Sequence, residues 1–235
     1  MSATLSQLEL LDPQRHRHLR LRQSAEDTPH FVQIVAGEFA TAAACCPILF
    51  TKDSTTGSFF AGALFGFKPG EGYLMDSANP GSFRPLSLQR DGFFLSDEHI
   101  AIDRGNPRFS ETEGEPLFDG TNQPATGLRR IQRTLGQLHA GLDLTKQFIR
   151  VLAESKLIEP IDISLSFDSV GERLTLQGLY TVSLDRLRAL GDAAVLRLFR
   201  AGHLQLAYMM NASLEQLPAL ARLREQAIRR ISSNS

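Results

Sequence analysis

A chain of 235 residues with 42% hydrophobic and 22% charged residues is long and apolar enough to bury a sizeable core, which excludes a disordered protein. Twenty-five basic against 26 acidic residues leave a formal net charge of -1. No global field then draws the chain to nucleic acid or to an anionic membrane, and a charged partner must be met by a local patch.

The first segment places Glu9 and Asp12 ahead of its arginines and has no apolar run, so no secretory signal is predicted. No stretch approaches the roughly 20 apolar residues that cross a bilayer. The two cysteines, Cys45 and Cys46, are adjacent and poorly placed to bridge, which fits a reducing, cytoplasmic location.

The N-terminal half reads as short strands and turns. Arg15 to Arg22 alternates around Leu19 and Leu21, predicting a strand. Phe31 to Val35 is a short apolar run, and Glu38 to Cys45 can make two helical turns that Pro47 ends. Ile48 to Thr51 and Ser58 to Phe67 read as strands joined by the polar turn Lys52 to Gly57. Lys68-Pro69-Gly70-Glu71-Gly72 is a strong turn signal. Tyr73 to Met75, Phe93 to Leu95 and Ile100 to Ile102 continue the strand pattern, with loops at Ser77 to Pro85 and Asp103 to Glu115.

Near Asn122 the period changes. Leu128, Ile131, Leu135, Leu138, Leu142, Thr145, Ile149 and Leu152 are spaced by threes and fours, predicting a helix from about Pro124 to Ser155. Leu144, Phe148 and Val151 widen its apolar face, which favours burial across the N-terminal sheet over a two-residue coiled-coil seam. Gly136 and Gly141 each weaken this helix by about 1 kcal/mol relative to alanine. Ile161 to Phe167 and Arg173 to Tyr180 predict a β-hairpin. Helices are expected after Ser183 and Asp192, across His203 to Met210, and from a capping-box spacing at Ser213 to Gln216 through about Ile231. The fold class is α+β in a single domain over 1–235, strand-rich over 1–120, then helix, hairpin and terminal helices.

Two clusters could carry chemistry. Arg15, His16, Arg17, His18, Arg20 and Arg22 could bind an anionic small molecule or an acidic partner, or could defend an edge strand with positive charge. Asp97, Glu98, His99 and Asp103 could act as general acid and base or as ligands, or could be a polar turn entering a strand. No structural zinc spacing, phosphate loop or nucleophile elbow occurs, so neither metal nor cofactor is expected. Cys45 and Cys46 read as core.

The order of landmarks resembles one known family. Pro47-Ile48-Leu49-Phe50 with Lys52 is followed by Ala63-Leu64-Phe65-Gly66-Phe67 and Pro69-Gly70-Glu71. Then come Phe93-Phe94, Ile102-Asp103, Leu117-Phe118-Asp119-Gly120, the striped helix, and Leu157-Ile158-Glu159-Pro160. Gly178-Leu179-Tyr180, the helix at Ser183, Gly202-His203-Leu204 and Ser213-Leu214 complete the series. This resembles the SapC family of bacterial proteins across nearly the whole chain, with His16 matching an early histidine. It departs at Ser82 to Arg90, where the family carries tryptophan and paired arginines, and at Tyr73-Leu74-Met75.

The resemblance implies an association with flavin-dependent, halogenase-like proteins and with TonB-dependent uptake, and it supplies no catalytic residues. The expectation is a non-catalytic accessory or binding protein whose partner is an enzyme of the same pathway or an anionic small molecule. Glu71 joins the basic run as a candidate contact, and homo-oligomers are left open. An enzyme using the Asp97 cluster is the alternative, and a surface-layer or peptide-processing component is a second.

Overall fold

The computed structural model describes residues 8–22, 29–74, 83–167 and 171–233. In chain order the elements are β1 (Leu8–Leu10), β2 (Arg20–Leu21), β3 (Phe31–Gln33), α1 (Phe39–Ala43), β4 (Ile48–Lys52), β5 (Phe59–Leu64), α2 (Leu86–Gln89), β6 (Phe93–Ser96), β7 (His99–Asp103), β8 (Phe109–Ser110) and β9 (Glu115–Pro116). There follow α3 (Thr126–Glu154), β10 (Ile158–Phe167), β11 (Glu172–Val182), α4 (Leu184–Arg188), α5 (Asp192–Arg200), α6 (His203–Ala212) and α7 (Leu217–Ser233). The fold is α+β. No helix among the described residues is long and apolar enough to cross a membrane.

Contacts divide the chain into two compact units, Met1–Asp27 with Leu86–Ala140 and Thr28–Pro85 with Gly141–Ser235. The units interleave along the sequence and do not divide near residue 120. In the first, two three-stranded antiparallel sheets, β1-β7-β6 and β8-β2-β9, enclose an apolar cluster that includes Leu19, Phe93, Ile102 and Leu117. Leu128, Ile131 and Leu135 from the start of α3 complete it. The expected strand over Arg15 to Arg22 is a turn as far as His18, and only Arg20 and Leu21 pair. The cause is local: the Asp12 carboxylate accepts the Gln14 and Arg15 amides, closing a turn that outcompetes extension.

The second unit is built on the antiparallel sheet β10-β11-β4-β5-β3. Strand alternation sends Phe50 to one face, against Phe148 of α3 with ring centroids 6.0 Å apart. Phe39 of α1 meets the same Phe148 ring edge-on, and His203 of α6 packs against it at a tilt. Leu49, one residue before Phe50, faces the other way into a cluster with Leu64, Phe67, Ile163, Phe167 and Leu220 of α7. The sheet is therefore covered on both faces.

The buried face of α3 differs from the leucine stripe. Leu138 is half-buried, Leu142 and Leu144 are 37% and 57% exposed, and Thr134 and Gly141 are buried instead, while Thr145 of the stripe is buried as expected. A Cβ at Gly141 would stand 2.5 Å from Val35 Cγ2, so glycine is required there for close approach. The Thr145 hydroxyl donates to the Gly141 carbonyl at 2.6 Å and accepts the Ala36 amide at 2.8 Å. A polar residue thus belongs to the core face because it satisfies a backbone donor from another element.

Ser213 corrects another reading. It is fully buried, and its hydroxyl donates to the Met210 carbonyl at 2.6 Å and accepts the Ile48 amide at 2.8 Å. It ties α6 to β4 and does not cap a helix. A 3-10 turn, Ser213–Gln216, carries the chain directly into α7. Tyr73 and Leu74 form a turn where a strand was expected, and Met75 lies outside the described residues, as does the loop over 77–82.

Candidate functional site

Acidic neighbours answer most of the basic run. Arg15 Nη2 lies 3.2 Å from Glu9 Oε2. His16 is buried, its Nδ1 accepts the Asp12 amide at 2.9 Å, and its Nε2 lies 3.3 Å from Glu9 Oε1. His18 faces Glu111 at 3.4 Å and Arg22 faces Glu113 at 3.1 Å. Arg20 donates through Nε to the Gly114 carbonyl at 2.8 Å, while Arg17 is exposed. Arg104 adds contacts to Glu9 at 3.7 Å and Glu111 at 3.0 Å.

The Asp97 cluster is dispersed along a hairpin. Asp97 and Glu98 are the exposed two-residue turn between β6 and β7, with Asp97 at φ 53°, and His99 is exposed beside them. Asp103 sits at the far end of β7, about 13 Å along the strand. Its carboxylate accepts the Gly105 amide at 3.1 Å. Only this end approaches the basic run, since Leu8 pairs with Asp103 and so carries Glu9 to the Ile102 position. Among the described residues, no group of three or more His, Cys, Asp or Glu side chains is placed to hold a metal.

Glu71 belongs to the second unit and is engaged by Arg224 of α7. Arg224 Nε lies 2.9 Å and 3.1 Å from the two Glu71 oxygens, and its Nη2 lies 2.9 Å from Glu172 Oε2. Lys68 pairs with the other Glu172 oxygen, and the guanidinium covers the Phe167 ring at 4.4 Å. Glu71 also accepts the Phe67 amide at 3.1 Å, which closes the Pro69-Gly70 turn on itself. Hydrogen bonds from Lys68 and then Arg224 hold the Glu172 carboxyl below its ordinary range. Burial opposes the charge of Arg224, but the Glu71 and Glu172 bonds outweigh it and push its pKa up. Burial, then the Glu71 charge, pushes the Tyr73 phenol up as well. Arg224 Nη1 is buried without an acceptor.

The first turns of α3 carry a feature that the sequence reading passed over. Thr126, Arg129, Gln132 and Arg133 line an open cleft of about 460 Å³. Arg129, Arg130 and Arg133 all lie in the first eight residues of α3, and its first turn holds no acidic residue. The positive end of a helix dipole favours carboxylates and disfavours cations by about 0.3–1 kcal/mol each. Among the described residues no carboxylate stands within ion-pair distance of these three arginines. Spacings of three and four residues put Thr126, Arg129 and Arg133 on one face. That face can present two guanidinium forks, a hydroxyl and an amide to one anion. The signal was legible in Arg129-Arg130 and Arg133, but the same segment also holds Leu128, Ile131 and Leu135, whose period drew attention to the opposite face.

The SapC family model matches residues 11–220. Neither the search of curated proteins nor that of solved structures returns a match. That span takes in most of both units, though it stops short of Glu9 and Arg224, and the chain belongs to the SapC family.

Proposed function

We propose that the protein is a non-catalytic, cytosolic accessory protein that binds a small molecule bearing phosphate or carboxylate in the cleft at the start of α3. The observation that carries this reading is three arginines gathered beside an open cleft at the positive end of a helix, none with a carboxylate at ion-pair distance among the described residues, and only the exposed Asp119 attracted to Arg129 from farther off. An anion relieves that repulsion. The unbridged Cys45 and Cys46 fit a reducing compartment. Asp97, Glu98 and His99 are all exposed at a hairpin turn and Asp103 stands at the other end of β7, which favours binding over acid–base chemistry at this cluster. The pathway is the one the family associations imply, uptake or modification of an imported compound beside a halogenase-like enzyme.

Thermal shift and titration calorimetry test this with inorganic phosphate, pyrophosphate and citrate at low ionic strength. Saturable stabilisation that weakens with added salt, and that disappears in Arg129→Gln/Arg133→Gln, is the expected result. If all three anions leave the melting temperature unchanged, or the double variant responds as the wild type does, the cleft is not a binding site.

A further inference from the structure

We propose that the outward face of α5 is a self-association surface, on which two copies of this chain pair through antiparallel α5 helices about a two-fold axis at Leu196. α5 buries Leu198 against its own unit and turns the opposite face to solvent. At 100° per residue that face holds Asp192, Leu196, Phe199 and Arg200. Phe199 is 67% exposed and Leu196 is 46% exposed. Together they place two large apolar side chains on two turns of a nine-residue helix.

The charges on this face name the occupant. Asp192 lies four residues before Leu196 and Arg200 four residues after it, each about 6 Å along the axis. Neither has an ion-pair partner among the described residues. A face whose apolar centre is flanked symmetrically by opposite charges is complementary to itself, because a two-fold rotation keeps the centre and exchanges the ends. In the antiparallel pair Leu196 meets the partner's Leu196, and Phe199 covers it from one side. Asp192 comes level with the partner's Arg200, and the reverse pair forms at the other end. The two helix dipoles also oppose each other. A single helix face covers less than the about 800 Å² per partner of a standard interface, so association is weak and depends on concentration.

Sedimentation velocity on the full chain tests this, with loading concentration raised from micromolar to the solubility limit. The expected result is a reversible shift from the 26.0 kDa chain toward twice that mass, lost in Phe199→Glu. Asp192→Arg alone and Arg200→Asp alone should each be monomeric, because like charges then meet. An equimolar mixture of those two variants should dimerise, since each now carries the charges the other lacks. Melting curves check that every variant is folded, and the wild-type series needs no variant. The proposal is overturned if the wild type stays monomeric throughout, if Phe199→Glu dimerises like the wild type, or if the mixture fails to recover the dimer.

Discussion

Arg224 on the last helix grips Glu71 on a tight turn 153 residues earlier, through one Nε shared between both carboxylate oxygens at 2.9 Å and 3.1 Å. Both groups are largely out of water, so removing one leaves the other's charge uncompensated. Arg224→Leu should cost about 3–5 kcal/mol by urea denaturation, while Arg224→Leu with Glu71→Gln recovers part of that loss because both charges leave together. A single variant that unfolds with the wild type would show the pair to be unimportant to stability.

Gly136 and Gly141 look alike in sequence and should behave oppositely. A Cβ at Gly136 meets nothing within 4 Å, so Gly136→Ala should gain about 1 kcal/mol from helix propensity. At Gly141 the same methyl runs into Val35, and Gly141→Ala should lower the melting temperature despite the better propensity. Equal shifts of the same sign in the two variants would contradict the close approach.

His203 is buried against Phe148, with rings 5.7 Å apart, and its Nδ1 has no hydrogen-bond partner. Burial lowers its pKa from the ordinary 6.5. The folded state therefore prefers neutral imidazole. Its contribution is complete above pH 6.5 and is lost as pH falls from there toward the folded pKa, because the unfolded chain takes up the proton first. Comparing urea stability at pH 7.5 and pH 5.5, the wild type should lose more on acidification than His203→Leu does. Parallel losses would place the titration elsewhere.

Arg129→Glu replaces a cation with an anion at the positive end of α3. Without added anion the variant should be more stable than the wild type, by about 0.3–1 kcal/mol for each of the two helix-end effects, less the screened attraction to the exposed Asp119 that it gives up. Destabilisation in anion-free buffer would mean that Arg129 is already satisfied within the protein.

The regular elements were legible in the sequence because their periods are long or strict. β10 begins three residues earlier than expected and ends where expected, β11 runs past its predicted limits at both ends, and α3 starts and stops within two residues of expectation. What escaped were residues whose role depends on a partner far along the chain. Thr145 falls on the stripe, but its hydroxyl has no evident purpose until Ala36 offers it an amide, and Ser213 reads as a cap until Ile48 does. Leu138 and Leu142 fit the stripe, yet no other element covers them fully. The charged clusters failed similarly. Glu9, which pairs with Arg15 and His16, is near in sequence, but Arg224, Glu111 and Glu113, which pair with Glu71, His18 and Arg22, lie far along the chain from them. Arg129 and Arg133 required only the expectation that a helix begins with acids.

The union of Ser213 with Ile48 spans 165 residues, and β11 meets β4 through the single register pair Tyr180 and Phe50. During synthesis β4 leaves the ribosome long before either partner exists. At about 5–20 residues per second the wait is on the order of ten seconds or more. For that interval the apolar strand Ile48-Leu49-Phe50 can pair only with β5 and must stay shielded some other way. Newly made chains should therefore depend on a holding chaperone far more than the finished protein does, and refolding should be slow for a chain of this size.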